Sequence, residues 1–465
     1  MSERFAPSGP LRGTLSPPPD KSISHRAAIV AAMGEGETAV RGYLDAADTR
    51  STLDAVAALG AGVNEGEAAG AIGAKRVHTT QKAPSSSRSD ALDLRVRGVG
   101  LRGATPAPVI DVGNAGTLLR LLPGWLAGQP QGEWRLDGDE SIRRRPVDRI
   151  VEPLRAMGAT VEAREDRLPP LTVRGSELGG IEYRSPVASA QVKSCVLLAG
   201  LLAGGSTSVI ERRPTRDHTE RMLRAAGATV TAEDAGTPVT VHGELPARRV
   251  TVEAAGALEP GEISIPGDFS SAAFLIVAAT LVRGSEVRLD GVGINPGRIG
   301  LLGILTRMGA AIEVVETAAA GPEPVATIVV RSGPLTATRV GGGEVPLAID
   351  ELPLVGLAGC FADGATVVSG AEELRHKESD RIATVVEGLR ALGAEIEATE
   401  DGFAVVGGGG LRGGALDAAG DHRLAMLGAI AGLASADGVE VTGFDAAAIS
   451  YPRFGTDLAD LRRRN

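Results

Sequence analysis

Aromatic side chains make up only 3% of this 465-residue sequence. The core must therefore be built from Ala, Val, Leu and Ile, and the chain has few platforms on which nucleic-acid bases could stack. Cysteine is scarcer still, with Cys195 and Cys360 alone. Two thiols in a chain of this length make no disulfide framework, and no CxxC spacing suggests zinc, so no metal is expected. Both sit in apolar, helix-like runs, SCVLLAGLLA and LVGLAGCFA, and read as buried free thiols. No stretch of about 18 apolar residues occurs, and the N-terminal MSERFAPSGPLRG lacks an apolar signal region. The expectation is a cytoplasmic protein with no membrane partner. A basic excess is missing too: the formal net charge is -10. Nucleic-acid binders are ordinarily basic, so no nucleic-acid partner is expected. An acidic chain still holds small anions where its arginines converge in one cleft.

What is present points to a large globular protein. Hydrophobic residues are 43%, ordinary for a folded chain, and the length predicts two domains of roughly 200 residues. A helical pattern ending in Gly-Ala and running into an alternating strand recurs five times: LDAVAALGAGV, VEPLRAMGATVEA, RMLRAAGATVTA, LLGILTRMGAAIEV and VVEGLRALGAEIEA. Gly60, Gly158, Gly227, Gly309 and Gly393 each suit the left-handed position just past a helix end. Their spacing of about 70 to 100 residues is too long for a solenoid. Six units of that size fill the chain, the last cut short near Leu458. One insertion, Val77–Asp90, reads as a mobile surface loop, and the GGGEVP and VGGGGLRGG stretches read as turns.

Five segments carry candidate chemistry. In PPPDKSISHRAAIVAAM, Asp20 or Ser22 caps a helix from about Ser24 to Met33. That puts Lys21, Ser22 and Arg26 around a helix N-terminus, where free N–H groups favour an anion. In IDVGNAGTLLRLLPGWLAG, the small residues around Asn114 and Gly116 let a ligand approach the backbone, and Arg120 follows one turn later. In SIRRRPVDRIV, one of Arg143, Arg144 and Arg145 is expected to clamp an anion, with Pro146 in the first turn of the next helix. In YRSPVASAQVKSCVLLAG, Ser189, Gln191 and Lys193 open an apolar helix, and TRDHTERML adds Arg216, with His218 a structural hydrogen-bonder. In the second half, AIDELP places Asp350 at the end of a short strand closed by Pro353, and HKESDR puts Lys377 and Arg381 at i, i+4 on one helix face beside Glu378; DHRLAM follows. Each segment alone also fits a tight turn, a solvated helix start or a surface ion pair.

Taken together and in order, DKSISHR, GNAGT, RRRP, SAQVKS, TRDHTE, AIDELP, KESDR and DHR resemble the EPSP synthase family of enolpyruvyl transferases, from Lys21 to Pro452. The resemblance implies an α/β fold: a two-domain inverted α/β barrel, each domain three βαβαββ units, hence six in all. It also implies residues 1–20 plus 266–465 as a domain holding both termini, 21–265 as the other, and the active site between them. The substrates implied are shikimate 3-phosphate and phosphoenolpyruvate, with no cofactor, in a monomer.

By position, Lys21, Ser22, Arg26, Ser189, Ala190, Gln191 and Arg216 would bind shikimate 3-phosphate, and Asp350 and Lys377 its hydroxyls. Lys21, Asn114, Gly116, Arg145, Gln191, Arg381 and Arg423 would surround phosphoenolpyruvate. The family pattern thus selects Arg145 among the three arginines. Asp350, Glu378 and Lys21 would carry the catalysis, Asp350 as base toward the acceptor hydroxyl and Glu378 with Lys21 at the other carbon. Gly116 leaves room beside phosphoenolpyruvate, which implies inhibition by glyphosate. Two positions depart from the better-known pattern: Ile449 stands where a lysine is often found, and Glu373 where an asparagine is. The sister activity on a UDP-linked amino sugar usually carries KN in place of Lys21-Ser22 and a loop cysteine. A non-catalytic anion-binding module would have lost the Lys21, Asp350, Glu378 and Arg381 set, which this chain keeps.

Overall fold

The computed structural model describes residues 1–66, 90–235 and 247–463. Of the predicted loop Val77–Asp90, all but Asp90 lies outside the described residues.

Six inner helices organise the chain: Lys21–Met33, Gly116–Ala127, Ala190–Gly200, Phe269–Leu281, Leu352–Phe361 and His422–Ala434. They are rich in Ala, Leu, Ile and Val on every side, and a helix that is apolar all round is stable only when buried. Helix Phe269–Leu281 is buried at every position but its last. Each inner helix leads into a strand at the middle of a small sheet. Strand Glu37–Leu44, for example, pairs in parallel with Glu262–Ser264 and antiparallel with Ala91–Arg97, which in turn pairs with Gly62–Glu65. The same four-stranded order recurs in the next four units. In the sixth, Val439–Thr442 lies between parallel Gly414–Asp417 and antiparallel Ser2–Phe5. The N-terminal strand thus supplies the third place, and among the described residues this sheet has three strands. The expected six-unit architecture is what the chain adopts.

The five predicted helix endings are present. Gly60, Gly158, Gly227, Gly309 and Gly393 all take φ between 91° and 101°. Each follows an outer helix and leads into an outer strand, as Gly309 does between Gly300–Arg307 and Ala311–Ala320.

Two strands are exchanged between otherwise continuous units. Arg12–Leu15 precedes the first inner helix but pairs with Glu286–Gly293, which follows the fourth. Glu262–Ser264 precedes the fourth inner helix but pairs with Glu37–Leu44, which follows the first. Between them the two connecting segments run side by side, with the Asp20 N–H donating to the Pro266 carbonyl at 2.8 Å. Two hydrophobic cores result, one running from Ile23 to Ile263, the other built from Phe5, Leu11 and residues from Phe269 to Leu461. We propose that these cores mark the two domains, 21–265 and 1–20 with 266–465. No helix among the described residues is long and apolar enough to cross a membrane.

Three local expectations are corrected. The first inner helix begins at Lys21, not near Ser24, because the Asp20 carboxylate accepts the Ile23 N–H at 2.8 Å and starts the helix three residues earlier. No strand precedes Asp350: a short helix, Glu344–Ala348, ends just before it, and Pro353 lies in the first turn of Leu352–Phe361. Proline there opens a helix rather than closing a strand, since its missing N–H would be unpaired anyway. The GGGEVP stretch is a turn only through Gly343, for its last three residues belong to that short helix.

Candidate active site

All six inner helices start at one cleft between the two cores, with a volume of about 690 Å³. Ser22, Gly116, Gln191, Ser271 and His422 line it from five first turns, and Asp350 lines it just ahead of the sixth. Four of these helices are capped by the residue before them, Asp20, Ser189, Asp268 and Asp421, whose side chains accept N–H groups of the first turn. Six partial positive charges therefore point at one volume. Lys21, Arg26, Arg145, Arg216, Arg381 and Arg423 add full charges to the same walls, so an acidic chain encloses a basic cavity.

On the first wall, Lys21 reaches Asp48 at 3.0 Å. Burial raises the Asp48 pKa, but Lys21 and His25 outweigh it and hold the carboxyl below its usual value. Arg26 is buried and fixed from three sides: its Nε donates to Thr219 Oγ1 at 2.8 Å and its two terminal nitrogens to the Ser22 carbonyl and Ser194 Oγ. Burial lowers its pKa to about 10, and nearby Arg216 adds to the effect. Asn114 Oδ1 accepts from Arg145 Nη2 at 2.8 Å. Arg120 donates to Gln191 Oε1 at 2.9 Å, and Gln191 donates in turn to Thr117 at 3.0 Å. Ala190 opens the helix that Ser189 caps. Pro146 does not enter a helix, since the next one starts at Asp148, and Arg143 and Arg144 are spent on Asp137 and Glu140. Of the three arginines, Arg145 is the one that faces the cleft.

The second wall centres on Asp350. Its carboxylate lies 3.3 Å from Lys377 Nζ, 3.5 Å from Arg381 Nη1 and 3.8 Å from Arg423 Nη2, and it also pairs with Arg216 of the opposite wall. Burial pushes its pKa up, yet Lys377, Arg423, Arg216 and Arg381 outweigh that and keep it well below the usual carboxylate value. Lys377 and Arg381 do not share a helix face: Lys377 ends the 3-10 turn Glu372–His376, and Arg381 begins helix Arg381–Ala391. They meet at Asp350 because Asp380, the helix cap, turns the chain between them. Glu378 bonds Arg381 at 2.6 Å and reaches Arg145 across the cleft at 3.5 Å. It too is held well below the ordinary value, for although burial opposes ionisation, Arg381 and Arg145 prevail.

The two departures fall differently. Glu373 lines the cleft and pairs with Arg149 of the other wall at 2.8 Å. At the second, Ser450 rather than Ile449 lines the cleft.

Several residues in and behind the cleft escaped the sequence reading. Glu351 is buried behind Arg423, accepting from its Nη1 at 3.3 Å and from Ser270 Oγ. Burial raises its pKa. Arg298 donates to Asp268 at 2.9 Å and to Ser270 at 2.8 Å. The signal that could have found this group is the GDFSSAAF segment, an acidic cap before an apolar helix like that at Asp20. Lys193, in contrast, points away from the cleft: it is buried between Glu211 at 2.8 Å and Glu220 at 2.7 Å. It fixes the base of the loop carrying Arg216. His218 is a structural hydrogen-bonder, as expected, with Nδ1 2.8 Å from Glu323. Cys195 and Cys360 are buried free thiols within helices, and burial pushes both thiols up.

Comparison with known proteins agrees with this geometry. The EPSP synthase (3-phosphoshikimate 1-carboxyvinyltransferase) family pattern matches residues 5–102 and 85–458. A 3-phosphoshikimate 1-carboxyvinyltransferase of Gloeobacter violaceus is 45% identical over 468 positions, covering 100% of both chains. Another, of Acidithiobacillus ferrooxidans, is 46% identical over 449 positions, covering 96% of this chain and 95% of its own. The solved EPSP synthase from Acinetobacter baumannii superposes with a TM-score of 0.80 at 38% identity, covering 99% of this chain and 98% of its own. The enolpyruvyl transferase NikO from Streptomyces tendae shares the fold, with a TM-score of 0.72 at 16% identity over 98% of this chain and 96% of its own. A six-unit fold, a basic cleft at six helix starts and relatives similar along their whole length lead to one conclusion: the chain belongs to the EPSP synthase (3-phosphoshikimate 1-carboxyvinyltransferase) family.

Proposed function

We propose that this chain transfers the enolpyruvyl group of phosphoenolpyruvate to the 5-hydroxyl of shikimate 3-phosphate. The observation that carries the reading is the placement of two ionised carboxylates, Asp350 and Glu378, within one ring of arginines and lysines. Two anionic substrates need many cations, and the proton transfers need carboxylates among them.

Arg26, Ser189 and Arg216 bind the acceptor's phosphate and ring, with Ser22, Ala190 and Gln191 supplying helix-start donors. Arg145, Arg381 and Arg423 hold the carboxylate and phosphate of phosphoenolpyruvate beside Asn114 and Gly116. The acceptor's 5-oxygen attacks C2 of phosphoenolpyruvate and gives its proton to Asp350, oriented by Lys377. The C2–C3 π pair takes a proton at C3 from the side of Glu378 and Lys21. A tetrahedral adduct results. Elimination then returns the C3 proton to Glu378, re-forms the double bond and breaks the C2–O bond, and the phosphate leaves with that electron pair.

Glu378 must carry a proton to act as the acid. Phosphoenolpyruvate beside it brings negative charge and draws Arg145 away, both of which raise a carboxyl pKa. Once engaged with phosphoenolpyruvate, Arg145, Arg381 and Arg423 stabilise the charge that develops on its phosphate.

The test is phosphate release from the purified protein given phosphoenolpyruvate with either shikimate 3-phosphate or UDP-N-acetylglucosamine. Release with the first acceptor alone is expected. Release with the second alone would move the protein to the sister activity, and release with neither would leave a binding protein.

A further inference from the structure

Two ion pairs cross the cleft between the same two segments. The inner one joins Arg145 to Glu378 at 3.5 Å, and the outer joins Arg149 to Glu373 at 2.8 Å. Arg145 lies just ahead of helix Asp148–Ala156 and Arg149 in its first turn. The glutamates sit on and just after the turn Glu372–His376. That turn is anchored within its own half: Arg375 donates to Asp380 at 2.8 Å and to the carbonyls of Thr399 and Glu400 at 2.8 and 2.9 Å. The outer pair therefore ties two firmly held elements together rather than two mobile side chains.

Arg149 is also badly placed for its own helix. A cation in the first turn opposes the helix dipole, so its charge stabilises that helix poorly and needs a partner elsewhere. The partner is Glu373, from the other half of the molecule. With side chains only 17% and 37% exposed, the pair is shielded enough from solvent to outweigh an ordinary surface contact.

The two rungs have different fates in the reaction proposed above. Arg145 and Glu378 both turn toward the substrate, so their mutual contact cannot be what keeps the cleft shut during turnover. We propose that Arg149 and Glu373 form a latch that holds the two halves together while the inner pair is engaged with substrate. They are positioning residues: the latch presses the turn bearing Lys377 and Glu378 against the wall bearing Asn114 and Arg145. The proposal rests on the enolpyruvyl-transfer reading, because closure is measured through that reaction's substrates.

The experiment compares Arg149→Gln, Glu373→Gln and the charge swap Arg149→Glu with Glu373→Arg. Each single variant should raise KM for both substrates by about fivefold, the scale of a half-buried ion pair, with a smaller fall in kcat. The swap should recover most of the loss, which a merely structural defect would not allow. Small-angle scattering with added shikimate 3-phosphate should show the single variants compacting only at higher ligand concentration than the wild type. Unchanged KM in Arg149→Gln, or a swap no better than the singles, would overturn the latch. A defect in Glu373→Gln alone would also overturn it, and would make Glu373 a direct acceptor contact. Phosphate release by the wild type separately decides the underlying reading.

Discussion

Gly116 and Arg145 touch so closely that the guanidinium must shift to admit a side chain: a Cβ on Gly116 would lie 2.6 Å from Arg145 Nη1. The glycine is there for space, and Arg145 uses that space to reach Asn114 Oδ1 at 2.8 Å. Gly116→Ala must push the guanidinium aside while leaving the helix intact, since alanine favours helix by about 1 kcal/mol over glycine. KM for phosphoenolpyruvate should rise about tenfold, the cost of roughly one misaligned charged hydrogen bond, with KM for shikimate 3-phosphate little changed. Glyphosate should inhibit the wild type and inhibit this variant less. Steady-state kinetics with each substrate varied will check both, and an unaltered phosphoenolpyruvate KM would remove Arg145 from that site.

Asp350 neutralises cations from both walls as well as serving as the proposed base, and the two roles separate by experiment. Asp350→Asn keeps the shape and removes the proton acceptor, so kcat should fall about 10²- to 10⁴-fold. Binding of shikimate 3-phosphate should persist, because Lys377, Arg216, Arg381 and Arg423 lose a competing anion. Calorimetric titration alongside turnover distinguishes the two effects. Turnover like the wild type would exclude Asp350 as base.

His25 gives the protein an acid-sensitive core. Its ring is buried against Thr52 at 2.6 Å, and burial lowers its pKa from 6.5 to about 3. Between those values the unfolded chain binds a proton that the folded chain does not, so stability falls as pH falls. The contribution is complete above pH 6.5 and lost as pH approaches 3. His422, lowered to about 3 for the same reason, adds to it. Each such histidine contributes a slope of up to about 1.4 kcal/mol per pH unit. Urea unfolding from pH 6.5 to 4.5 should show that dependence, and His25→Asn should flatten it by about half. An identical slope in the variant would mean that His25 is protonated in the folded protein.

The legible parts of the site were those written locally. The helix opened at Ser189 follows from its cap, whereas Arg145 is singled out from Arg143 and Arg144 only by the family pattern, and the helix start at Lys21 only by the bond that Asp20 makes in the structure. The strand expected before Asp350 was misread because Ala-Ile is equally at home in a short helix there, and only packing decides between them. Glu351 and Arg298 were missed for another reason. Each has its meaning only through a distant partner, Arg423 in one case and Asp268 in the other.

The sequence by itself determined the repeat, since a glycine at φ near 95° after each outer helix is a local backbone requirement. It determined the six buried helices as well, because their apolar surfaces leave no face for water. Tertiary structure alone decided which charges meet. Lys193 and Lys377 look alike in sequence, two lysines near helix starts, yet one is buried between Glu211 and Glu220 and the other meets Asp350 in the cleft. The exchange of Arg12–Leu15 and Glu262–Ser264 between units was likewise decided by the fold. A short strand carries too little pattern to choose its neighbour, and the choice is made by the sheet that has an edge to offer.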